Sequence, residues 1–346
     1  MKAVVKTARR EGAVEILAVD EPEITPSEIL VRVKSAAVCG SDLHAYRFSP
    51  GYRTPKETKI PVTLGHEWSG VVAEAGADVA GFAVGDRIMG ESMLYCGHCR
   101  LCLQGRTNIC EQFILTGRHL DGAMAEYFKV SPRYLHRIPK ELSFEEAATA
   151  QPLSVSLHAV VDNCQVAPGD TVLVFGPGII GLGAAQAARM KGASTIAVVG
   201  LEKDEKVRLP AAKKLGFHTL SAGSNDLGGD LERLTGRRKA DVVIECSGDA
   251  QNIARGIEMT TRGGHFTVVG ISANPASVFF TPVVRDEIQI HTSFNGTWNN
   301  YDQALRLMAA KAIDMKSLIS THELKEAVTV FDAALGCDLV KPVLCP

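Results

Sequence analysis

The sequence predicts an α/β protein of two parts, a β-rich, barrel-like part and a doubly wound parallel sheet. Three observations carry this. The chain has 346 residues, and length alone favours two units of roughly 100–200 residues each. Up to about residue 150, short β-type runs alternate with Gly, Pro and Asp turns; from Asp170 onward, apolar strands alternate with helix-like segments. A glycine-rich turn, Gly176-Pro-Gly178-Ile-Ile-Gly181, joins the first of those strands to its helix.

In chain order, the first part has strand-like runs at Ile29 to Lys34, Ser69 to Ala73, Arg87 to Met89 and Ala125 to Val130. The second has apolar strands such as Thr171 to Phe175, Thr195 to Val199, Asp241 to Ile244 and His265 to Val269, with helical stretches between them. That alternation is the βαβ signature of a parallel sheet. A last strand, Ile288 to His291, completes six. Beyond it, Tyr301 to Lys311 and Glu323 to Leu335 read as amphipathic helices and Leu339 to Leu344 as a strand. Periodicity leaves two places for this tail, on the parallel sheet or back on the first part.

Composition narrows the function. With 46% hydrophobic and 22% charged residues, the chain is an ordinary globular protein. A net charge of −2 gives no electrostatic reason to expect nucleic acid or an anionic membrane as partner. The start, Met1-Lys2-Ala3-Val4-Val5, lacks the apolar run of a secretory signal, and no stretch approaches the roughly 20 apolar residues that span a bilayer. A cytoplasmic location is the expectation.

The glycine turn follows a strand and opens a helix, Leu182 to Met190, which is the setting a dinucleotide fingerprint needs. Gly176 allows the tight turn, Gly178 lets pyrophosphate approach backbone N–H groups, and Gly181 lets helix pack on strand. An acidic residue binding the ribose 2′-OH is expected about 20 residues on. The second strand instead ends at Val199-Gly200, with Glu202 and Asp204 close behind, and Lys203, Lys206 and Arg208 in the same loop. Those cations suit a 2′-phosphate or simply start a solvated helix, so NAD and NADP both stay open.

Nine cysteines include four at Cys96-x-x-Cys99-x-x-Cys102-x7-Cys110. In a reducing compartment this spacing reads as four thiolates closing a tetrahedral shell around a structural zinc. A second, scattered set is Cys39 in Val38-Cys-Gly-Ser-Asp-Leu-His44, with His66 and Glu67 in Leu64-Gly-His-Glu-Trp68. Alone, Cys39 suits a core and His66 a structural histidine. Together they suit a zinc with three protein ligands and one open position, which polarises an alcohol oxygen.

These motifs, with Gly85-Asp-Arg87, Gln151-Pro-Leu-Ser-Val-Ser-Leu-His158 and Glu245-Cys-Ser-Gly248, resemble the zinc-containing medium-chain alcohol dehydrogenases, in the branch of sorbitol (polyol) and threonine dehydrogenases. The similarity covers essentially the whole length. It implies a GroES-like catalytic domain over residues 1–152 and 295–346, and a Rossmann dinucleotide-binding domain over 153–294. It implies two zinc ions per chain, NAD or NADP, a small alcohol or ketone substrate, and a homotetramer or, less often, a homodimer. Cys39, His66 and Glu67 become catalytic zinc ligands, and Asp42 the carboxylate orienting His66. Ser41 takes the alcohol proton and His44 relays it, although a turn residue and a surface histidine are the plain alternatives. The dinucleotide is expected on Gly176, Gly178, Ile179, Ile180 and Gly181, on Gly200, Glu202, Lys203 and Arg208, and on Cys246, Val269, Gly270 and Ile271.

Two positions depart from the branch. Gln151 stands where it has a zinc-binding glutamate, so an amide replaces a charge beside the metal. Gly200 replaces the aspartate that selects NAD. The activity implied is hydride transfer between a secondary alcohol, such as a polyol, sugar or hydroxy amino acid, and NAD(P). The rivals are a zinc-free quinone or enone reductase of the same fold and a non-catalytic binding relative.

Overall fold

The computed structural model describes residues 1–48 and 58–346. Its β-rich part is built on the strand Ile29–Ala37, which pairs antiparallel with Glu67–Ala75 from Ile29 opposite Ala75 to Ala37 opposite Glu67. That register has a direct consequence for the site. Val38 and Cys39, leaving the first strand, emerge beside His66, which enters the second. Arg87–Gly90 and Leu135–Arg137 extend the sheet on one side, and Tyr127–Val130 also pairs with Ile29–Ala37.

The second part is a six-stranded parallel sheet in the order His218–Ser221, Thr195–Gly200, Thr171–Phe175, Ala240–Glu245, Thr260–Val268, Gln289–Thr292. This is the doubly wound order, and its direction reverses between Thr171–Phe175 and Ala240–Glu245. All five residues of Thr171–Phe175 are buried, which explains why the strand reads as a continuous apolar run instead of an alternation.

The chain then returns to the first sheet. Lys341–Cys345 pairs antiparallel with Ile29–Ala37 through Val343 opposite Ala37, and Ile319–Glu323 runs parallel beside it. Between the two halves lies the helix Ala150–Leu157, packed on Ile179–Met190 and Trp298–Ala309. Close approach is required there: a Cβ at Gly183 would stand 2.6 Å from Ser156 Oγ.

Three elements differ from the sequence expectation. The edge strand His218–Ser221 carries no apolar run and has two exposed residues, so periodicity does not mark it. The helix expected from Glu323 begins at Ala327, because Ile319–Glu323 is a strand whose polar Ser-Thr-His-Glu sequence hides it. The helix expected from Tyr301 begins at Trp298, where Thr297 N–H donates to Asn300 Oδ1 at 2.8 Å and caps it.

One buried polar cluster ties these parts. His136 lies flat on Tyr301, with ring centroids 5.4 Å apart, and close to Trp298 at 4.7 Å. Its Nε2 is 3.9 Å from Glu91 Oε1, too far for a hydrogen bond. Burial pushes His136 down to about 4 and Glu91 up to about 8, so at pH 5 the imidazole has no carboxylate counterion. Below about pH 6.5 the unfolded chain takes a proton that folded His136 refuses until pH 4, so the contribution of His136 to stability falls as pH falls through this window, by up to about 3 kcal/mol, while the raised Glu91 contributes in the opposite sense. We expect His136→Gln to be less stable than the wild type at pH 7.5, and that deficit to shrink by about 2 kcal/mol at pH 5 in urea unfolding. A deficit independent of pH would show that burial does not hold His136 neutral.

Candidate functional site

Cys39 is the N-cap of the helix Gly40–Arg47, and its N–H donates to Asp42 Oδ2 at 3.0 Å. The thiol of Cys39, the imidazole of His66 and the carboxylate of Glu67 bring their ligand atoms within 4.8 Å of one another. Donors sharing a tetrahedral zinc are separated by roughly 3.3–3.8 Å, so one thiolate, one nitrogen and one oxygen fit such an ion with small side-chain shifts. Asp42 Oδ1 is buried without a hydrogen-bond partner and lies 3.7 Å from His66 Nδ1. An imidazole turned by a bound ion would supply that partner.

Ser41 Oγ stands 3.4 Å from His66 Nε2, beside the donor trio. His44, one turn along the same helix, lines the same cleft; burial, then Arg118 and Arg47, push its pKa down, keeping it neutral at pH 7. Glu67 is sealed from solvent and ion-paired with the equally buried Lys341, whose ammonium also donates to Val38 O at 2.8 Å. Burial pushes the Glu67 carboxyl up to about 8 while Lys341 pulls it down. Gln151 lines the cleft with its Nε2 donating to Ser92 Oγ at 3.1 Å and Asn295 Oδ1 at 3.3 Å. Its amide is thus anchored through nitrogen.

The cleft, about 370 Å³, runs from this trio to the N-terminus of Ile179–Met190. Gly178, Ile179 and Ile180 line it, with Cys246, Val269, Gly270 and Ile271 on the adjoining wall. Gly176 takes φ 99°, and a Cβ at Gly181 would sit 1.9 Å from Gly176 O, whereas a Cβ at Gly178 would meet nothing within 4 Å. Two glycines therefore serve the turn and the packing, and the third leaves open the space over the helix N–H groups that an anion needs. Glu245 holds the far lip: its Oε1 accepts Ser247 N–H at 2.7 Å and Gly248 N–H at 3.1 Å. Of the expected ribose-side residues, Arg208 lines the cleft, while Gly200 closes its strand and Glu202 and Lys203 stand exposed on the turn beyond.

Apart from the cleft, the four cysteines form one knot. Cys96 and Cys102 sulfurs are 3.9 Å apart, as are those of Cys99 and Cys110, against about 3.8 Å for thiolates sharing a tetrahedral zinc. Backbone N–H groups of Cys99 and Gln112 donate to Cys96 and Cys110 sulfurs at 3.3 Å, as thiolates require. Four soft donors close a shell with no open position. Asn108, inside the knot, donates to Phe294 O at 2.8 Å and so ties it to the cleft wall.

Sequence reasoning missed Lys341, Arg118, Ser92 and Asn295. Lys341 had a signal, since a lysine inside the apolar run Leu339 to Leu344 must find a buried partner. Arg118, buried and donating to Ser41 O, lies in Gly117-Arg-His-Leu120, which matches no motif.

Comparisons with known proteins show the family to which the chain is similar. A model described as "Alcohol dehydrogenase GroES-like domain" matches residues 25–140, and one described as "Zinc-binding dehydrogenase" matches residues 180–310. A sorbitol dehydrogenase of Halalkalibacterium halodurans is 35% identical, the alignment covering 100% of this chain and 99% of the relative. An L-threonine 3-dehydrogenase of Bacillus velezensis is 33% identical, over 100% and 97%. Among solved structures, the 2R,3R-butanediol dehydrogenase of Bacillus subtilis superposes with a TM-score of 0.88 at 28% identity, covering 100% of this chain and 99% of that one.

The knot yields a test. Cys99→Ser should lower the zinc content by one ion per chain and the melting temperature by about 5–10 °C, measured by metal analysis and calorimetry. Unchanged melting would contradict a structural zinc.

Proposed function

The chain belongs to the zinc-containing medium-chain alcohol dehydrogenase family, in its sorbitol and threonine dehydrogenase branch, and from that premise we propose how its own residues carry the reaction. It is an oxidoreductase that transfers a hydride between a secondary alcohol and NAD(P). The observation that carries the assignment of roles is that the Cys39, His66 and Glu67 donors open into the same cleft as the helix N-terminus at Gly178.

Cys39, His66 and Glu67 would hold the catalytic zinc, and Gln151, anchored through its nitrogen, would leave a neutral amide oxygen for it. When bound, zinc would supply Lewis acidity that lowers the pKa of the alcohol, and the dinucleotide would supply the hydride acceptor. Asp42 fixes the His66 tautomer. Ser41 receives the hydroxyl proton at Oγ and His44, held neutral, accepts it for passage to solvent. Gly178, Ile179 and Ile180 present backbone N–H groups to the pyrophosphate, and Cys246, Val269, Gly270 and Ile271 wall the nicotinamide side away from water. Substrates of this class are polyols, sugars and hydroxy amino acids.

Residues 1–152 and 295–346 act as the catalytic unit and 153–294 as the dinucleotide unit. The assembly proposed is a homotetramer or, less often, a homodimer, and the exposed Phe279, Phe280 and Val284 are apolar surface that such an interface would cover. The zinc-free alternative leaves the convergence of the Cys39 thiol and the His66 imidazole on Glu67 without a role.

Cys39→Ser is the test of the assignment. We expect kcat/KM on a panel of polyols, threonine and short secondary alcohols to fall on the order of a thousandfold, about 4 kcal/mol of barrier, with unchanged folding and the four-cysteine zinc retained. Activity within tenfold of wild type would remove Cys39 from the site.

A further inference from the structure

We propose that Asn108 is a positioning residue through which the four-cysteine knot sets the two walls of the cleft against each other. One of its readouts, dinucleotide affinity, rests on the role assigned to the cleft above; the other does not.

The chain passes between the two halves of the protein twice. The first passage is the helix Ala150–Leu157 with the helical turn His158–Asn163 that continues it. The second runs from Ser293 to Thr297, between the last parallel strand, Gln289–Thr292, and the helix Trp298–Ala309. The two passages touch, since a Cβ at Gly296 would stand 2.6 Å from Ser154 Oγ. Both also furnish the cleft, with Gln151 and Val155 from the first and Phe294 and Asn295 from the second.

Asn108 holds one group in each. It sits in the turn Thr107–Ile109, between Cys102 and Cys110, and is 5% exposed. Its Nδ2 donates to Phe294 O at 2.8 Å in the second passage and lies 3.1 Å from His158 Nε2 in the first. The opposite amide orientation would set two carbonyl oxygens face to face, so Phe294 O fixes which end of Asn108 points here. An amide nitrogen only donates; His158 Nε2 therefore accepts, and the ring proton is on Nδ1. That proton is directed at Asp162 Oδ2, 2.8 Å away, and the same oxygen accepts Asn300 Nδ2 at 2.9 Å. Asn300 Oδ1 in turn accepts from the N–H and the hydroxyl of Thr297, at 2.8 and 2.7 Å. One chain of hydrogen bonds thus starts in the knot, crosses the first passage and ends on the second.

Both amide hydrogens of Asn108 are used in this way, two residues from the Cys110 sulfur. Four thiolates sharing an ion hold the knot rigid, and the amide carries that rigidity to both passages. A knot that loosens withdraws the amide from both at once and deprives a buried carbonyl and an imidazole nitrogen of their donor. His158, which closes the run from Gln151, thereby has a part that the reaction itself does not use.

The experiment is hydrogen–deuterium exchange read by mass spectrometry over 150–163 and 293–300, with NADH and NADPH affinity measured by nicotinamide fluorescence on the same samples. The proteins are the zinc-loaded wild type, Asn108→Ala, Cys99→Ser and the double variant. We expect Asn108→Ala to keep the wild-type zinc content and the wild-type exchange over 96–106, yet to raise exchange in both passages about tenfold and to weaken both dinucleotides about fivefold. A side chain that served stability alone would lower melting without moving affinity in the folded protein. Cys99→Ser should raise exchange in the same two segments, and adding Asn108→Ala to it should raise them by no more than about twofold further, because both substitutions cut one connection. His158→Ala, which removes one of the two bonds, should raise exchange over 150–163 and carries the test if Asn108→Ala does not fold. Passages as well protected in folded Asn108→Ala as in the wild type overturn the proposal, as does a Cys99→Ser effect that adds in full to that of Asn108→Ala. A wild type that binds neither dinucleotide removes the role assigned to the cleft, and exchange then decides the coupling by itself.

Discussion

The pairing of Ala37 with Glu67 governs the rest of the molecule. Two strands that meet in this register deliver the residue after one and the residues at the start of the other to the same corner, and there the sequence places a thiol, an imidazole and a carboxylate. A slip of one residue would turn Glu67 to the opposite face of the sheet and separate the donors. The apolar residues on either side, Ile29, Val31, Val33 and Trp68, are buried and fix the register by the simple cost of exposing them. Local pairing thus becomes chemistry without any long loop having to be held in place.

A second constraint closes the corner from the far end of the chain. Glu67 sits where water cannot solvate it, and its ammonium partner comes from Lys341, five residues from the C-terminal Pro346. Breaking a buried pair leaves an uncompensated charge at a cost of several kcal/mol. The last strand is therefore bound into the site as well as the sheet. The same tail anchors Arg208 through Leu339 O and Ala334 O, so the C-terminal segment touches the metal end and the nucleotide end of one cleft. Whatever moves that segment moves both.

What was legible in the sequence was what is encoded by short spacing. The cysteine knot, the glycine turn and the apolar strands each occupy a run whose chemistry is visible without partners, whereas His66 and Glu67 read as metal donors only together with Cys39 and through the family resemblance. What escaped notice depends on distant contacts. Lys341 makes sense only beside Glu67, Arg118 only under Ser41, and Ser92 and Asn295 only around the Gln151 amide. Strand Ile319–Glu323 carries no signal in its side-chain pattern, because its pairing with Lys341–Cys345 makes it a strand. The ribose end shows both sides. The missing carboxylate at Gly200 was plain, but the inward turn of Asp204, whose Oδ2 accepts the Leu201 N–H, and the anchoring of Arg208 needed coordinates.

X-ray absorption at the zinc edge, on enzyme loaded to constant metal content, bears most directly on the donor trio. Two ions per chain, one held by four thiolates and one by a single thiolate with nitrogen and oxygen, average to about 2.5 sulfurs per zinc, with a distinct shell of light atoms near 2.0–2.1 Å. One ion per chain with about four sulfurs at 2.3 Å and no light-atom shell would leave Cys39, His66 and Glu67 without a metal and contradict the account.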